Sequence, residues 1–197
     1  MSDQVSGIKN QHSPANAGLP GVTQLLHLPV TDSTQAVARF LADQGAPHGT
    51  LVWADAQTAG RGRMGRKWSS KPGGLYFSLV LRPDFPPSKL ADLSLATADA
   101  AARAVRDLTG CQSAIKAPND VYAVKAGKAR KICGILAEAS GDSHKTDWVA
   151  LGVGINVNNK PGLASATSLK ALDGKTREIA KVLAKFMVEF QLSYKTI

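Results

Sequence analysis

Gln57-Thr-Ala-Gly-Arg-Gly-Arg-Met-Gly-Arg-Lys-Trp68 sets three arginines and a lysine (Arg61, Arg63, Arg66, Lys67) among three glycines and closes on an indole. Glycines let the backbone take positive φ and come close to a ligand. Guanidinium groups present planar forks that grip phosphate or carboxylate, and an indole stacks on a flat base. The combination describes a loop that holds a nucleotide-like anion; a solvated basic turn is the plainer alternative. Gly60-Arg-Gly-Arg-Met-Gly65 also fits the dinucleotide pattern G-x-G-x-x-G. That fingerprint needs a helix directly after it, whose N-terminus receives the pyrophosphate. Here Lys67 to Gly74 is Ser/Pro/Gly-rich, and Leu75-Tyr-Phe-Ser-Leu-Val-Leu-Arg82 alternates with period two, as a strand does. With the strand 51–57 in front, the loop joins strand to strand, which argues against a Rossmann site.

Working outward, residues 1–19 are polar with almost no large apolar side chains and read as a disordered tail. Residues 20–197 read as one domain. A strand is expected at 23–28, then a helix capped by Asp32 or Ser33, carrying Val37, Phe40 and Leu41 on one face and stopping at Gly45. Ser88 to Leu108 is Ala/Leu-rich and predicts a long helix ended by Gly110. Strands follow at 113–116, 121–124, 131–139 and 148–157, the second and third joined by a short basic turn that makes them a hairpin. Ile179, Val182, Leu183, Phe186, Met187 and Phe190 follow the i, i+3, i+4, i+7 rule of a closing helix. Consecutive strands with two or three helices on one side give an α+β class with a mainly antiparallel mixed sheet.

Composition narrows the function. A chain of 197 residues with 44% hydrophobic content buries a real core. It has no apolar run that spans a bilayer and no signal-peptide pattern. The two cysteines, Cys111 and Cys133, stand far apart without a partner motif, which favours buried thiols in a reducing cytoplasm. The four histidines have no metal or triad spacing. The net charge of +9 suits nucleic acid or an acidic protein partner. No basic helix with base-reading residues is visible, so neither DNA nor a membrane is expected as partner.

Four further segments carry chemistry in sequence order. Thr31-Asp-Ser-Thr-Gln35 starts a helix, and Lys116-Ala-Pro-Asn-Asp120 sits between strands. Arg130-Lys131-Ile-Cys-Gly-Ile-Leu-Ala-Glu138 puts a lysine at the head of an apolar strand, and Gly152-Val-Gly-Ile-Asn156 ends a Gly-containing strand on an amide. Taken singly these read as a cap, a turn, a solvated strand end and a turn former. Together with the Arg-Gly loop and Ala166-Thr-Ser-Leu169, from Thr31 through Leu169, they resemble the biotin protein ligases.

The resemblance implies a fold shared with lipoate ligases and class II aminoacyl-tRNA synthetases. It also implies a two-step reaction: biotin attacks the α-phosphate of ATP with Mg²⁺, and a lysine of a biotin carboxyl carrier protein then takes biotin from the adenylate. Arg63, Lys131 and Asp120 are the implied catalytic residues. Ser33, Thr34 and Gln57 would bind the ureido ring, with Gly60, Arg61, Arg63, Lys131 and Gly134 completing the biotin set. Arg61, Arg63, Arg66, Trp68, Lys116, Asn119 and Asn156 form the ATP and adenylate set. No side-chain metal site is assigned; Mg²⁺ arrives on the ATP phosphates, with Asp120 a candidate contact. Cytoplasmic location follows, and a homodimer is one open outcome. A catalytically weak biotin or nucleotide binder, or a lipoate or octanoate transferase with a deeper apolar slot, are the alternatives. Ala117 stands where the family commonly has Trp, leaving space near the site. The reading expects a catalytic domain without an N-terminal helix-turn-helix, hence no repressor, and without the family's small C-terminal barrel-like domain.

Overall fold

The computed structural model describes residues 18–197. The expected disordered tail, Gly18 and Leu19 apart, lies outside the described residues. Seven strands form one sheet: β1 (Gln24–Thr31), β2 (Thr50–Gln57), β3 (Leu75–Leu81), β4 (Gln112–Lys116), β5 (Asp120–Lys125), β6 (Lys128–Gly141) and β7 (Thr146–Ile155). Their order is β1-β2-β3-β7-β6-β5-β4. Only β1 and β2 run parallel; every other neighbouring pair is antiparallel, including the expected β5–β6 hairpin. A parallel pair needs a crossover, and α1 (Thr34–Asp43) supplies it.

The helices lie on both faces rather than on one. On the larger face, α2 (Leu90–Thr109) and α4 (Ile179–Tyr194) cover Leu75, Phe77 and Leu79 of β3 and Leu151, Val153 and Ile155 of β7. Phe77 meets Phe186 edge-on at 5.2 Å, and Phe186 stacks on Phe190. Each fully buried aromatic contributes about 1.5–3 kcal/mol of transfer free energy. On the opposite face, α1 packs Ala38 and Ala42 against Leu26, Val52, Val80 and Ala150. The expected helix face holds in part: Val37 and Leu41 are half-buried and pack against this cluster, Phe40 is exposed, and the most buried contacts are the small Ala38 and Ala42. Small side chains let the helix sit close to the sheet, which leaves room for polar groups at its N-terminus. Gly45 and Gly110 stop α1 and α2 in left-handed conformations, as expected.

A short helix, α3 (Leu169–Asp173), was not anticipated; Ser168 caps it and Gly174 closes it. Among the described residues, no helix is long and apolar enough to cross a membrane.

Candidate active site

The cleft lies on the α1 face, where glycines leave the sheet bare. On β7 the period-two alternation sends Val153 and Ile155 into the core and places Gly152 and Gly154 along the cleft. Gly134 on β6 pairs with Gly154 across the strands. Into this bare patch comes Trp68: a methyl built on Gly154 would fall 2.4 Å from its Nε1, and one on Gly134 would fall 2.8 Å from its ring. Any side chain at either position displaces the indole. The resulting cavity is about 450 Å³, the size of a small-molecule site.

One end is a continuous polar chain. The α1 N-terminus presents the Thr34 N–H to Gln57 Oε1 at 2.8 Å, and Gln57 Nε2 donates to Ser70 Oγ at 2.6 Å. Thr34 Oγ1 lies 3.0 Å from Ser78 Oγ, which donates to Gln35 Oε1 at 3.0 Å; Gln35 Nε2 ends the chain on the Ala150 carbonyl. Ser33 is the N-cap residue, but its side chain makes no capping bond. Among the described residues its buried Oγ has no hydrogen-bond partner, and neither has Trp68 Nε1. Buried polar atoms left unpaired are costly. Both residues line the cavity, but both atoms are sealed from solvent, so a ligand would reach them only after the neighbouring side chains shift.

The other end is ionic. Lys131 Nζ pairs with Asp120 Oδ1 at 2.7 Å and sits 5.4 Å from the Trp68 ring centroid. Asn119 Nδ2 reaches Asp120 Oδ1 at 3.0 Å, while Asn119 Oδ1 accepts from Arg63 Nη1 at 2.7 Å. One chain therefore links Arg63, Asn119, Asp120 and Lys131. The Lys131 backbone is clamped on both sides, its N–H to the Ser165 carbonyl and its C=O to the Thr167 N–H, each at 2.9 Å. Arg61, Arg63, Arg66 and Lys67 are exposed, and none forms an ion pair with a carboxylate among the described residues. That leaves unneutralised positive charge on the lip of the cleft. Within the loop, Gly62 donates to the Arg66 carbonyl and Trp68 to the Gly60 carbonyl. Met64 takes a left-handed conformation (φ 55°, ψ 39°), unusual for a non-glycine residue.

Ser33, Thr34, Gln57, Arg61, Arg63, Arg66, Trp68, Asn119, Asp120, Lys131, Gly134 and Asn156 all line this one cavity. Two expected residues do not. Lys116 ends β4 on the exposed side of its alternation. Gly60 is buried in the loop base, where a methyl would fall 2.5 Å from the Trp68 carbonyl, so it lets the loop close on itself. Gln35, Ser78, Gly152, Gly154 and the 161–166 segment were not picked out as ligand contacts. The alternating glycines of β7 were the available signal, since glycine on one face of an otherwise apolar strand marks a close approach. Cys133 is buried and Cys111 half-buried, both free, and burial pushes the Cys133 thiol well above its usual range.

Comparison with known proteins places similar sequences and folds beside this chain. The family model for the biotin/lipoate A/B protein ligase family matches residues 27–156. The bifunctional ligase/repressor BirA of Bacillus subtilis is 39% identical over 178 residues, which cover 87% of this chain and 54% of the relative. The biotin–[acetyl-CoA-carboxylase] ligase of Paracoccus denitrificans is 38% identical over 152 residues, 74% of this chain and 61% of its own length. Among solved structures, biotin protein ligase from Aquifex aeolicus in complex with biotin and ATP matches with a TM-score of 0.73 at 35% identity, covering 87% of this chain and 70% of that one. The chain thus spans about half the length of the Bacillus relative.

Proposed function

Because the chain belongs to the biotin/lipoate A/B protein ligase family, we propose that it is an ATP-dependent biotin protein ligase acting on a lysine of a biotin carboxyl carrier protein. The observation that carries this reading is the convergence of Arg63, Lys131 and Asp120, from three separate segments, on one cavity that also holds the unpaired Ser33 Oγ. The polar end, with Ser33, Thr34 and Gln57, suits the ureido ring, whose donors and acceptors need partners once buried. It does not suit a fatty acyl chain, which argues against lipoate or octanoate transfer.

In the first step a biotin carboxylate oxygen attacks the α-phosphorus of ATP. The bond to the β-phosphate oxygen breaks and pyrophosphate leaves. Two anions must approach, and preorganised cations relieve their repulsion; Arg61, Arg63 and Lys131 take that role, with Arg66 toward the triphosphate. Trp68 covers adenine, while Asn119 and Asn156 contact the base or ribose. Mg²⁺, where bound, would arrive with the ATP phosphates and would neutralise part of their charge. Asp120 Oδ2 has no protein partner among the described residues and is the one cavity-lining carboxylate open to such an ion.

In the second step the acceptor lysine amine attacks the adenylate carbonyl, an amide forms, and AMP leaves with the electron pair of the broken bond. The attacking ammonium must first lose a proton. Lys131 is paired to Asp120 in the free protein. Once the adenylate engages Lys131, Asp120 is released to steer the incoming amine and take its proton. A cytoplasmic carrier fits the free cysteines. The test is to incubate the protein with radiolabelled biotin, ATP, Mg²⁺ and a carrier domain. Covalent label on the carrier is expected; adenylate without label would leave an enzyme of the first half-reaction alone, and the absence of both products would refute the reading.

A further inference from the structure

Asn156 and Asn159 form a pair whose orientation is dictated by the backbone. The Val157 N–H donates to Asn159 Oδ1 at 3.0 Å. A backbone N–H only donates, so the amide atom facing it is oxygen and the other branch of Asn159 is the NH2. That NH2 lies 2.9 Å from Asn156, which must meet it with Oδ1. Asn156 therefore turns its own NH2 away. Its main chain is already engaged, the N–H with the Ile132 carbonyl at 2.9 Å and the carbonyl with the Leu169 N–H at 3.1 Å. Asn156 lines the cavity, and among the described residues its Nδ2 has no protein partner.

Asn159 itself is firmly held. It is 8% exposed, and the Gly73 carbonyl accepts from the N–H groups of both Asn158 and Asn159. Gly73 stands at φ +94°, and a methyl there would press on the Asn159 nitrogen at 3.2 Å. An asparagine alone offers the ligand either a donor or an acceptor by a simple flip of its amide. Here the flip would break the bond from Asn159, so one end of Asn156 is kept toward the cavity.

We propose that Asn159 is a positioning residue that holds Asn156 as a hydrogen-bond donor, so that the nucleotide half of the ligand is read there through an acceptor atom. This rests on the cavity being a biotin and ATP site. Asn159→Asp is the discriminating variant, because it is isosteric and keeps the acceptor for the Val157 N–H. It cannot donate, so Asn156 must turn its NH2 toward the carboxylate and present oxygen to the ligand.

Two measurements decide the matter. In ligand-free, ¹⁵N-labelled protein the Asn156 side-chain NH2 should exchange rapidly with water, and Asn159→Asp should slow it by about tenfold or more. With biotin present, ATP binding should weaken about tenfold in Asn159→Asp while biotin binding alone is unchanged, and Asn156→Ala/Asn159→Asp should bind ATP no worse than Asn156→Ala. Multiplying losses in the double variant, unaltered ATP binding in Asn159→Asp, or an Asn156 NH2 already protected in the parent protein would each overturn the proposal. The exchange measurement needs no catalysis. A parent protein that releases no pyrophosphate would therefore count against the ligase reading alone, with the amide orientation still decided.

Discussion

At the scale of single residues, the site depends on cations placed where two anions must meet. Lys131→Ala is expected to lower pyrophosphate release from biotin and ATP by roughly 100-fold or more, the usual cost of losing one preorganised charge-stabilising group. Lys131→Gln should fail as well, because an amide cannot neutralise the crowding oxygens. Circular dichroism separates this from misfolding, since the Lys131 side chain is partly exposed and its recorded contacts are with Asp120 and the Trp68 face. Near-normal release by folded Lys131→Ala would leave Arg61 and Arg63 as the working cations. Arg63→Gly should act differently. Losing one charge-assisted clamp costs about 1.5–3 kcal/mol, and adenylate would escape to label bystander lysines; a mutant that makes adenylate yet labels only its carrier assigns retention elsewhere. The place of these residues at the cavity was legible because lysine heading an apolar strand, or arginines among glycines, have few structural uses. Lys116 lies outside the cavity because its position depends on which side of β4 it faces. Asn159 and Ser78 were invisible because nothing local distinguishes a ligand-orienting amide or hydroxyl from a turn or strand residue.

At the scale of elements, the 58–70 loop joins two strands as its sequence indicated, bonded at its base and carrying its charge on an exposed tip. Its cations have no carboxylate partners among the described residues, and left-handed Met64 is 89% exposed. Ordering glycine-rich backbone costs about 1–2 kcal/mol per residue, and like charges on one lip repel until an anion arrives. Trypsin should therefore cut after Arg61, Arg63, Arg66 or Lys67 readily in the free protein and markedly more slowly with biotin plus ATP. Equal cutting rates with and without ligands would remove the idea of ligand-driven ordering. The element types and the β5–β6 hairpin could be read from periodicity and turn length. The face of α1 could be read only in part: Val37 and Leu41 pack inward beside Ala38 and Ala42, while Phe40, which shares their apolar pattern, is turned to solvent. Placing helices on both faces is likewise a tertiary outcome that alternation in β3 permits, since β3 is buried on both sides.

At the scale of the whole molecule, the large-face helices are joined by an ionic network rather than by apolar contact alone, and this makes stability depend on pH. Arg103 of α2 donates to Glu189 of α4 at 2.7 Å, Lys185 bonds Glu189 at 2.7 Å and Asp107 at 2.6 Å, and Arg177 holds Asp173 after α3. The bond from Lys185, then that from Arg103, holds the Glu189 carboxyl below its ordinary 4.5. Lys185 does the same for Asp107, and Arg177 for Asp173, both below 3.8. A carboxylate depressed in the folded state gives stability that is complete above its unfolded pKa and is lost as pH falls through the folded one. The acid limb should therefore begin below about pH 4.5. At the alkaline end the sign reverses: burial raises the Tyr76 phenol, which donates to the Lys71 carbonyl, so stability is lost as pH rises past the unfolded value of 10.0. Glu189→Gln isolates the first effect. It keeps the shape but loses two charge-assisted bonds, at about 1–3 kcal/mol near neutral pH. Because the parent protein forfeits the same charge on acidification, the gap in thermal midpoint between parent and variant should hold from pH 7 down to about 4.5 and shrink below that toward pH 3. A gap that stays constant all the way to pH 3 would mean Glu189 stabilises by packing, and the acid limb would then belong to other carboxylates.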